Sequence, residues 1–240
     1  MDTICFIPAR YGSTRFPGKP LALIGGKPMV WHVYENAEMT GAFNHIVVLT
    51  ESPIVVEECR KYKIPALQTS DRHQTATDRA AEAAGLLKAH RYILLFGDEP
   101  MLTPGKIRQF LRGAADTASA VQACAPFARQ ADADKDTTVK YSLSTHNTIV
   151  GASRRDFPYA TDASAGEERV YKHIGLFACT PQILKIYRET PRSFTEESES
   201  IELLRLLEKG VHVKAVKLKT DAMSVDVPSD LDYVRKQMEK

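Results

Sequence analysis

Three short apolar runs, at residues 4–7, 45–50 and 91–96, constrain the fold of this chain more than any other feature. Each is too short for a helix and too uniformly apolar for a strand with one wet face, so each reads as a strand buried on both sides. Helix-period segments separate them. Pro28 can open a helix that places Met29, Val30, Val33, Tyr34 and Ala37 on one face, and Ser52-Pro53 opens another through about residue 62. An extended stretch at 64–67 and an Ala-rich helix at 77–88, capped by Thr75, follow. Strand and helix alternating at this pace predict an α/β fold with a doubly wound, mostly parallel sheet.

The first run ends in Pro8-Ala9-Arg10-Tyr11-Gly12-Ser13-Thr14-Arg15-Phe16-Pro17-Gly18-Lys19. Glycine permits close backbone approach, and successive N–H groups in such a loop form a concavity for anions. Arg10, Arg15 and Lys19 add full charges. An ordinary exposed turn has little use for three cations, so the loop reads as a polyphosphate cradle. It follows neither the dinucleotide-binding nor the P-loop glycine pattern.

After about residue 126 the rhythm changes. A polar stretch at 128–138 precedes short extended segments at 139–143 and 148–152, and residues 161–168 have a loop's composition. Residues 173–179 are another apolar strand, Thr180-Pro181 opens a helix, and a helix ends at Lys209-Gly210. A long strand is expected at 211–218, and Pro228 opens a terminal helix bearing Leu231, Val234 and Met238. The chain is read as a single domain, 1–240, with 128–195 as a small inserted strand region.

A formal charge of +2 without a dense basic run argues against nucleic acid as a partner. No apolar stretch approaches the ~20 residues that span a bilayer. The residues before the first strand leave no room for a signal peptide, so a cytoplasmic location is expected. The widely spaced Cys5, Cys59, Cys124 and Cys179 suit apolar packing and not a disulfide or zinc framework.

Open α/β sheets bind ligands beyond the carboxyl ends of their strands. Gly97-Asp98-Glu99-Pro100 follows one strand, and Asp226 follows the extended Met223-Ser224-Val225. Two carboxylates facing a phosphate loop suit a nucleotide-bound Mg²⁺, which prefers oxygen ligands and keeps several waters. Taken singly, Asp98 also reads as a turn or helix cap, and Asp226 as a turn residue before Pro228.

The run I-P-A-R-Y-G-S-T-R-F-P-G-K-P resembles the N-terminal motif of the 3-deoxy-manno-octulosonate (Kdo) cytidylyltransferases, which couple CTP to an eight-carbon acidic sugar. F-G-D-E-P-M at 96–101 resembles that family's Q-G-D-E-P, and S-V-D-V-P-S-D-L at 224–231 its V-D-T-P-E-D-L. The resemblance implies a nucleotide-diphospho-sugar transferase type of fold, with Mg²⁺ on Asp98 and Asp226. It implies Arg10, Arg15, Lys19 and Asp98 as catalytic, and Pro8, Ala9, Arg10, Gly12, Ser13, Lys19, Thr69, His73, Thr75 and Gly97 around the nucleotide. D-R-H-Q-T-A-T-D-R at 71–79 resembles the family's base-side loop, with Arg79 directed at the acid's carboxylate. Ser153 to Tyr159 resembles S-R-x-x-I-P-Y, and 172–177 an H-x-G-I/L-Y strand, which implies Arg154 and His173 at the sugar. By itself, a histidine on an apolar strand reads as a core residue. Glu202, Leu203 and Arg205 fall on the end of an E-x-L-E-Q-L-R helix, which implies Glu202 and Leu203 among the residues at the sugar. A homodimer formed partly by the inserted strands, and a role supplying CMP-activated sugar for lipopolysaccharide or another surface glycan, are also implied.

Two departures bear on the acceptor. Phe96 stands where the family has Gln before G-D-E-P, and Leu203 where it has Gln in L-E-Q-L-R. Both positions face the sugar in the family, and an apolar wall cannot select a hydroxyl as an amide does. An 8-amino analogue of Kdo, a nine-carbon ulosonic acid or a phosphonate is therefore an alternative acceptor, with a non-catalytic nucleotide-binding regulator as the remaining reading.

Overall fold

The computed structural model describes residues 2–115, 119–127, 136–155 and 170–238. The expected loop at 161–168, most of that at 128–138, and Asp156 to Tyr159 of the S-R-x-x-I-P-Y match lie outside the described residues. In chain order the strands are β1 Thr3–Pro8, β2 Leu23–Ile24, β3 Lys27–Pro28, β4 His45–Thr50, β5 Ala66–Gln68 and β6 Arg91–Leu95, then β7 Ala120–Ala125, β8 Lys140–Leu143, β9 Ile149–Ser153, β10 Val170–Cys179 and β11 Lys214–Lys217. The helices are α1 Met29–Glu38, α2 Pro53–Lys61, α3 Ala76–Leu86, α4 Pro104–Ala114, α5 Pro181–Glu189, α6 Phe194–Glu199, α7 Leu203–Glu208 and α8 Pro228–Met238.

The main sheet runs β11-β7-β10-β6-β1-β4-β5, with β8 and β9 attached beyond β10. β1 lies between two parallel neighbours, Ile4 opposite both His45 of β4 and Tyr92 of β6. Its alternate residues enter opposite cores. Ile4 and Phe6 pack with Tyr92, Leu94 and the alanines of α3, while Cys5 and Ile7 pack with Ile93, Leu95 and α1, α2 and α4. This two-sided burial is why the first runs are apolar throughout. From β1 the chain winds out to β4 and β5, then returns to β6 on β1's other side. That reversal leaves a crevice beyond the carboxyl ends of β1 and β6.

β10 runs antiparallel to β6 and β7, so its first half lies at the ligand end of β6, with Leu176 opposite Leu95. Apolar pattern carries no strand direction, and the direction enters only in three dimensions. β11 is also shorter than the expected 211–218, covering only Lys214–Lys217. The 3-10 turn Lys19–Leu21 and the β2–β3 hairpin escaped the sequence reading. So did α6, although Ser193 and Glu196 form a complete capping box. Thr75 caps α3 as expected, its hydroxyl accepting from the Asp78 N–H at 3.1 Å. Ser52, Thr103 and Thr180 occupy N-cap positions without a side-chain cap bond, each before a proline that itself presets the first helical φ.

α8 buries Leu231 and Val234 against Ile24, Met29 and Val225, which fastens the C-terminus to the hairpin. All four cysteines are buried and unpaired, and burial raises their thiol pKa values. Among the described residues, no helix is long and apolar enough to cross a membrane.

Candidate active site

A cleft of about 590 Å³ opens at the crevice. Its wall includes Pro8, Ala9, Arg10, Ser13, Arg15 and Lys19 from the loop after β1, and Phe96, Gly97 and Asp98 from the end of β6. His73, Thr75 and Arg79 reach it from the 71–79 segment, Arg154 from just after β9 and His173 from β10, and Glu202, Leu203 and Asp226 from the C-terminal third. Every expected site residue is thus gathered there except Gly12 and Thr69, which do not line the cleft.

The loop after β1 closes on itself, because the Tyr11 carbonyl accepts from both Ser13 and Gly18 N–H at 2.9 Å. Its far end delivers Lys19 between two carboxylates. The Lys19 Nζ lies 2.7 Å from Asp98 Oδ2 and 3.9 Å from Asp226 Oδ1, and Arg15 reaches Asp226 Oδ1 at 3.1 Å. Residues so distant in sequence meet because the Val225 N–H donates to the Asp98 carbonyl at 2.9 Å. The Asp230 carboxylate then accepts from the N–H groups of Asp226 and Val227, at 3.0 and 3.1 Å. Burial, followed by the neighbouring Asp98 charge, raises the Asp226 pKa against the lowering effect of Lys19 and Arg15. An added cation would relieve that repulsion.

Among the described residues, no cluster of three or more His, Cys, Asp or Glu side chains stands ready to hold a metal. Two carboxylates beside a phosphate loop nevertheless fit Mg²⁺, which commonly takes one or two protein carboxylates and completes its shell with water and substrate phosphate. The donor set suits a metal that arrives with a nucleotide.

Two glycines admit no side chain here. A Cβ on Gly97 would sit 2.8 Å from the Pro8 carbonyl oxygen, where the ends of β1 and β6 touch. One on Gly175 would lie 2.8 Å from both Glu99 Cγ and Phe96 Cβ. Glu99 is fully buried, with Oε1 accepting from the Gly175 N–H at 2.7 Å and Oε2 without a hydrogen-bond partner. Burial, then the Asp98 charge, pushes its carboxyl pKa up to about 8. Gly175→Ala is expected to displace Phe96 and Glu99 and to destabilise the fold by ~1–3 kcal/mol, as overpacking does. Urea denaturation gives the value, and unchanged stability with full turnover would show that this wall can yield.

One end of the cleft is built on β10. His173 is half-buried in the cleft wall, and its desolvation there lowers its pKa to about 4, so the ring is neutral at physiological pH. Its Nδ1 lies 2.8 Å from the Tyr141 hydroxyl, and its ring centroid 5.6 Å from that of Phe96. It therefore both faces the cleft and is satisfied in the core. Phe96 and the buried Leu203 give this end an apolar wall. The Arg154 guanidinium is held by the carbonyls of Thr137, Glu199 and Ser200 at 2.8–3.0 Å.

Several residues expected to meet ligands are engaged by protein groups. Arg79 is only 3% exposed, and its guanidinium contacts Glu51, Thr69 and Ser70, so it is not free to clasp a substrate carboxylate. The Thr69 hydroxyl is engaged by Arg79 and the Thr50 carbonyl, and the Gly12 N–H donates to Glu51. Glu202 places Oε2 on the Thr77 N–H at 2.9 Å, so it stabilises the start of α3 instead of binding sugar with that oxygen. His73 contacts the cleft while bonded to Glu82. The sequence reading passed over Glu51, although its place directly after β4, at the ligand edge of the sheet, was a usable signal.

Comparison with known proteins agrees with the geometry. The cytidylyltransferase family profile matches residues 4–218. The chain is 36% identical over 236 residues to an Escherichia coli 3-deoxy-manno-octulosonate cytidylyltransferase, covering 98% of this chain and 95% of the relative. Its counterpart in Nitratidesulfovibrio vulgaris is 34% identical, with 95% and 92% covered. Among solved structures, a CMP:2-keto-3-deoxy-manno-octonic acid synthetase complexed with CTP superposes with a TM-score of 0.91 at 34% identity, covering 100% of this chain and 99% of the other.

Proposed function

The chain belongs to the 3-deoxy-manno-octulosonate cytidylyltransferase family and is a CTP-dependent cytidylyltransferase, and on that premise we propose how its own residues carry out the transfer. The acceptor is Kdo or a Kdo-like acidic sugar. Its anomeric hydroxyl gives up its proton to solvent as the oxygen attacks the α-phosphorus of CTP in line, a new P–O bond forms, the bond to the β-phosphate breaks, and pyrophosphate leaves. The observation that carries this reading is Lys19, held between Asp98 and Asp226 at the mouth of a loop that also bears Arg10 and Arg15.

Arg10, Arg15 and Lys19 are assigned to the charge that grows on the transferring and leaving phosphoryl oxygens. Asp98 and Asp226 would hold Mg²⁺, which when bound supplies charge neutralisation and alignment of phosphate oxygens. The closed 11–18 loop and the Val225–Asp98 bond fix cations and carboxylates relative to one another, so little reorganisation is needed at the moment of transfer. Arg154 contributes positive charge beside an acidic acceptor, and neutral His173 a hydrogen-bonding ring edge. Dependence on CTP supports a cytoplasmic reaction, and the activated sugar would feed a surface polysaccharide or lipopolysaccharide. The inserted strands, where Val150 is 61% exposed on β9, are the surface that would serve a homodimer.

The apolar wall of Phe96 and Leu203 favours a second reading of the acceptor alone, in which a sugar bearing an amino or other non-hydroxyl substituent replaces Kdo. The test is Mg²⁺-dependent pyrophosphate release from CTP with Kdo, 8-amino-Kdo, nine-carbon ulosonic acids and simple phosphonates. No release with any of them, CTP still binding, would overturn the enzymatic reading. If the wall selects the acceptor, the double variant Phe96→Gln, Leu203→Gln is expected to shift kcat/KM towards Kdo by about 10–100-fold. Equal turnover of Kdo by both proteins would remove these residues from the specificity argument.

A further inference from the structure

Resting on the reading that the 10–19 loop binds CTP phosphates, we propose that Glu51 is a positioning residue that locks this loop to the base-side helix α3 through Arg79. One carboxylate serves both sides. Glu51 Oε1 accepts the Tyr11 N–H at 2.9 Å and the Gly12 N–H at 3.2 Å, and Oε2 lies 3.1 Å from Arg79 Nη2.

Each end of this bridge is anchored in turn. Tyr11 is the residue whose carbonyl closes the phosphate loop, so fixing its peptide fixes the ring that ends at Lys19. Arg79 belongs to α3 and is almost wholly buried, and it also contacts the Thr69 hydroxyl and the Ser70 carbonyl, at the start of the base-side segment. Glu51 itself is fixed by its place at the end of β4, where the Ala9 N–H donates to the Leu49 carbonyl at 2.8 Å. The two halves of the nucleotide site, one for phosphates and one for base and sugar, are thereby set at one spacing before any ligand arrives. Oε2 has no hydrogen bond of good geometry despite its ion pair, so the link depends on charge as well as direction. Arginine's fixed fork is suited to such a bridge.

The positioning role and a simple charge effect predict opposite signs. A carboxylate near the phosphate loop repels a triphosphate, so if Glu51 were only a nearby negative charge, Glu51→Gln would bind CTP more tightly. If it positions the loop, Glu51→Gln weakens a charge-assisted bridge, and CTP binding falls by about tenfold or more. The experiment is calorimetric titration of wild type and variants with CTP and Mg²⁺, beside steady-state KM for CTP and for the acceptor. Expected is a rise in Kd and KM for CTP, acceptor KM within about twofold of wild type, and partial rescue in Glu51→Asp. Unchanged or tighter CTP binding by Glu51→Gln would overturn the proposal. Should Glu51→Gln prove unstable, Arg79→Lys reads the same link, since it keeps the charge and loses the fork; unaltered CTP affinity there would likewise overturn it. Failure of the wild type itself to bind CTP is a separate result, and would remove the reading of the site on which the proposal stands.

Discussion

Asp98→Asn is expected to lower kcat by roughly a thousandfold while leaving the protein folded and able to bind CTP. The substitution is isosteric, and the side chain is a quarter exposed at the cleft wall, so packing changes little. What it removes is one of the two carboxylates assigned to Mg²⁺, together with the counter-charge that holds Lys19 2.7 Å away. Metal-derived charge stabilisation is worth several kcal/mol in such reactions, and each ~1.4 kcal/mol is a factor of ten in rate. A plain counter-ion to Lys19 would give a different pattern, with altered CTP affinity and modest loss of kcat. The measurement is pre-steady-state pyrophosphate release, with Mn²⁺ binding in the presence of CTP followed by electron paramagnetic resonance. Near-normal kcat, or undiminished Mn²⁺ binding, would sink the assignment of Asp98.

Arg205→Met is expected to be the most damaging change to stability. Arg205 is 2% exposed, and its guanidinium meets Glu196 at 2.6 Å and Asp78 at 2.8 Å, while its plane covers the Tyr187 ring at 4.8 Å. Burial alone would lower its pKa, but the hydrogen bonds and charges of Glu196 and Asp78 outweigh that and raise it. Removing the cation leaves Glu196, which has no exposure at all, with only the longer Arg192 pair at 3.4 Å, and such a loss costs about 3–5 kcal/mol. For a chain of this length that is a fall of roughly ten degrees in Tm. The Arg205→Met, Glu196→Gln, Asp78→Asn triple variant, which removes all three charges together, is expected to recover much of the loss. Thermal and urea denaturation decide it, and an Arg205→Met variant as stable as wild type would show that the cluster contributes nothing. Because Asp78 stands in the first turn of α3, the variant also loosens the segment that carries His73 and Thr75.

The sequence by itself determined the architecture's type and the place of its chemistry. Buried runs alternating with amphipathic helices permit little other than a doubly wound sheet, because a strand apolar on both faces needs cover on both faces. Loops after such strands must lie at one edge, so the cations at 10–19 and the carboxylates Asp98 and Asp226 could be assigned to a common site without coordinates. These are chemical types with strong local preferences, and they survive translation from chain to fold. Strand direction and side-chain partnership are another matter. Nothing in residues 173–179 declares that β10 runs antiparallel, yet that direction carries His173 and Gly175 to Phe96 and Glu99. Arg79, Glu202 and Thr69 each look like ligand contacts in sequence, and each is engaged by protein groups in the fold. A buried arginine or glutamate must be neutralised by whatever lies beside it. What lies beside Arg79 is Glu51, 28 positions away in sequence, and only tertiary packing brings the two together.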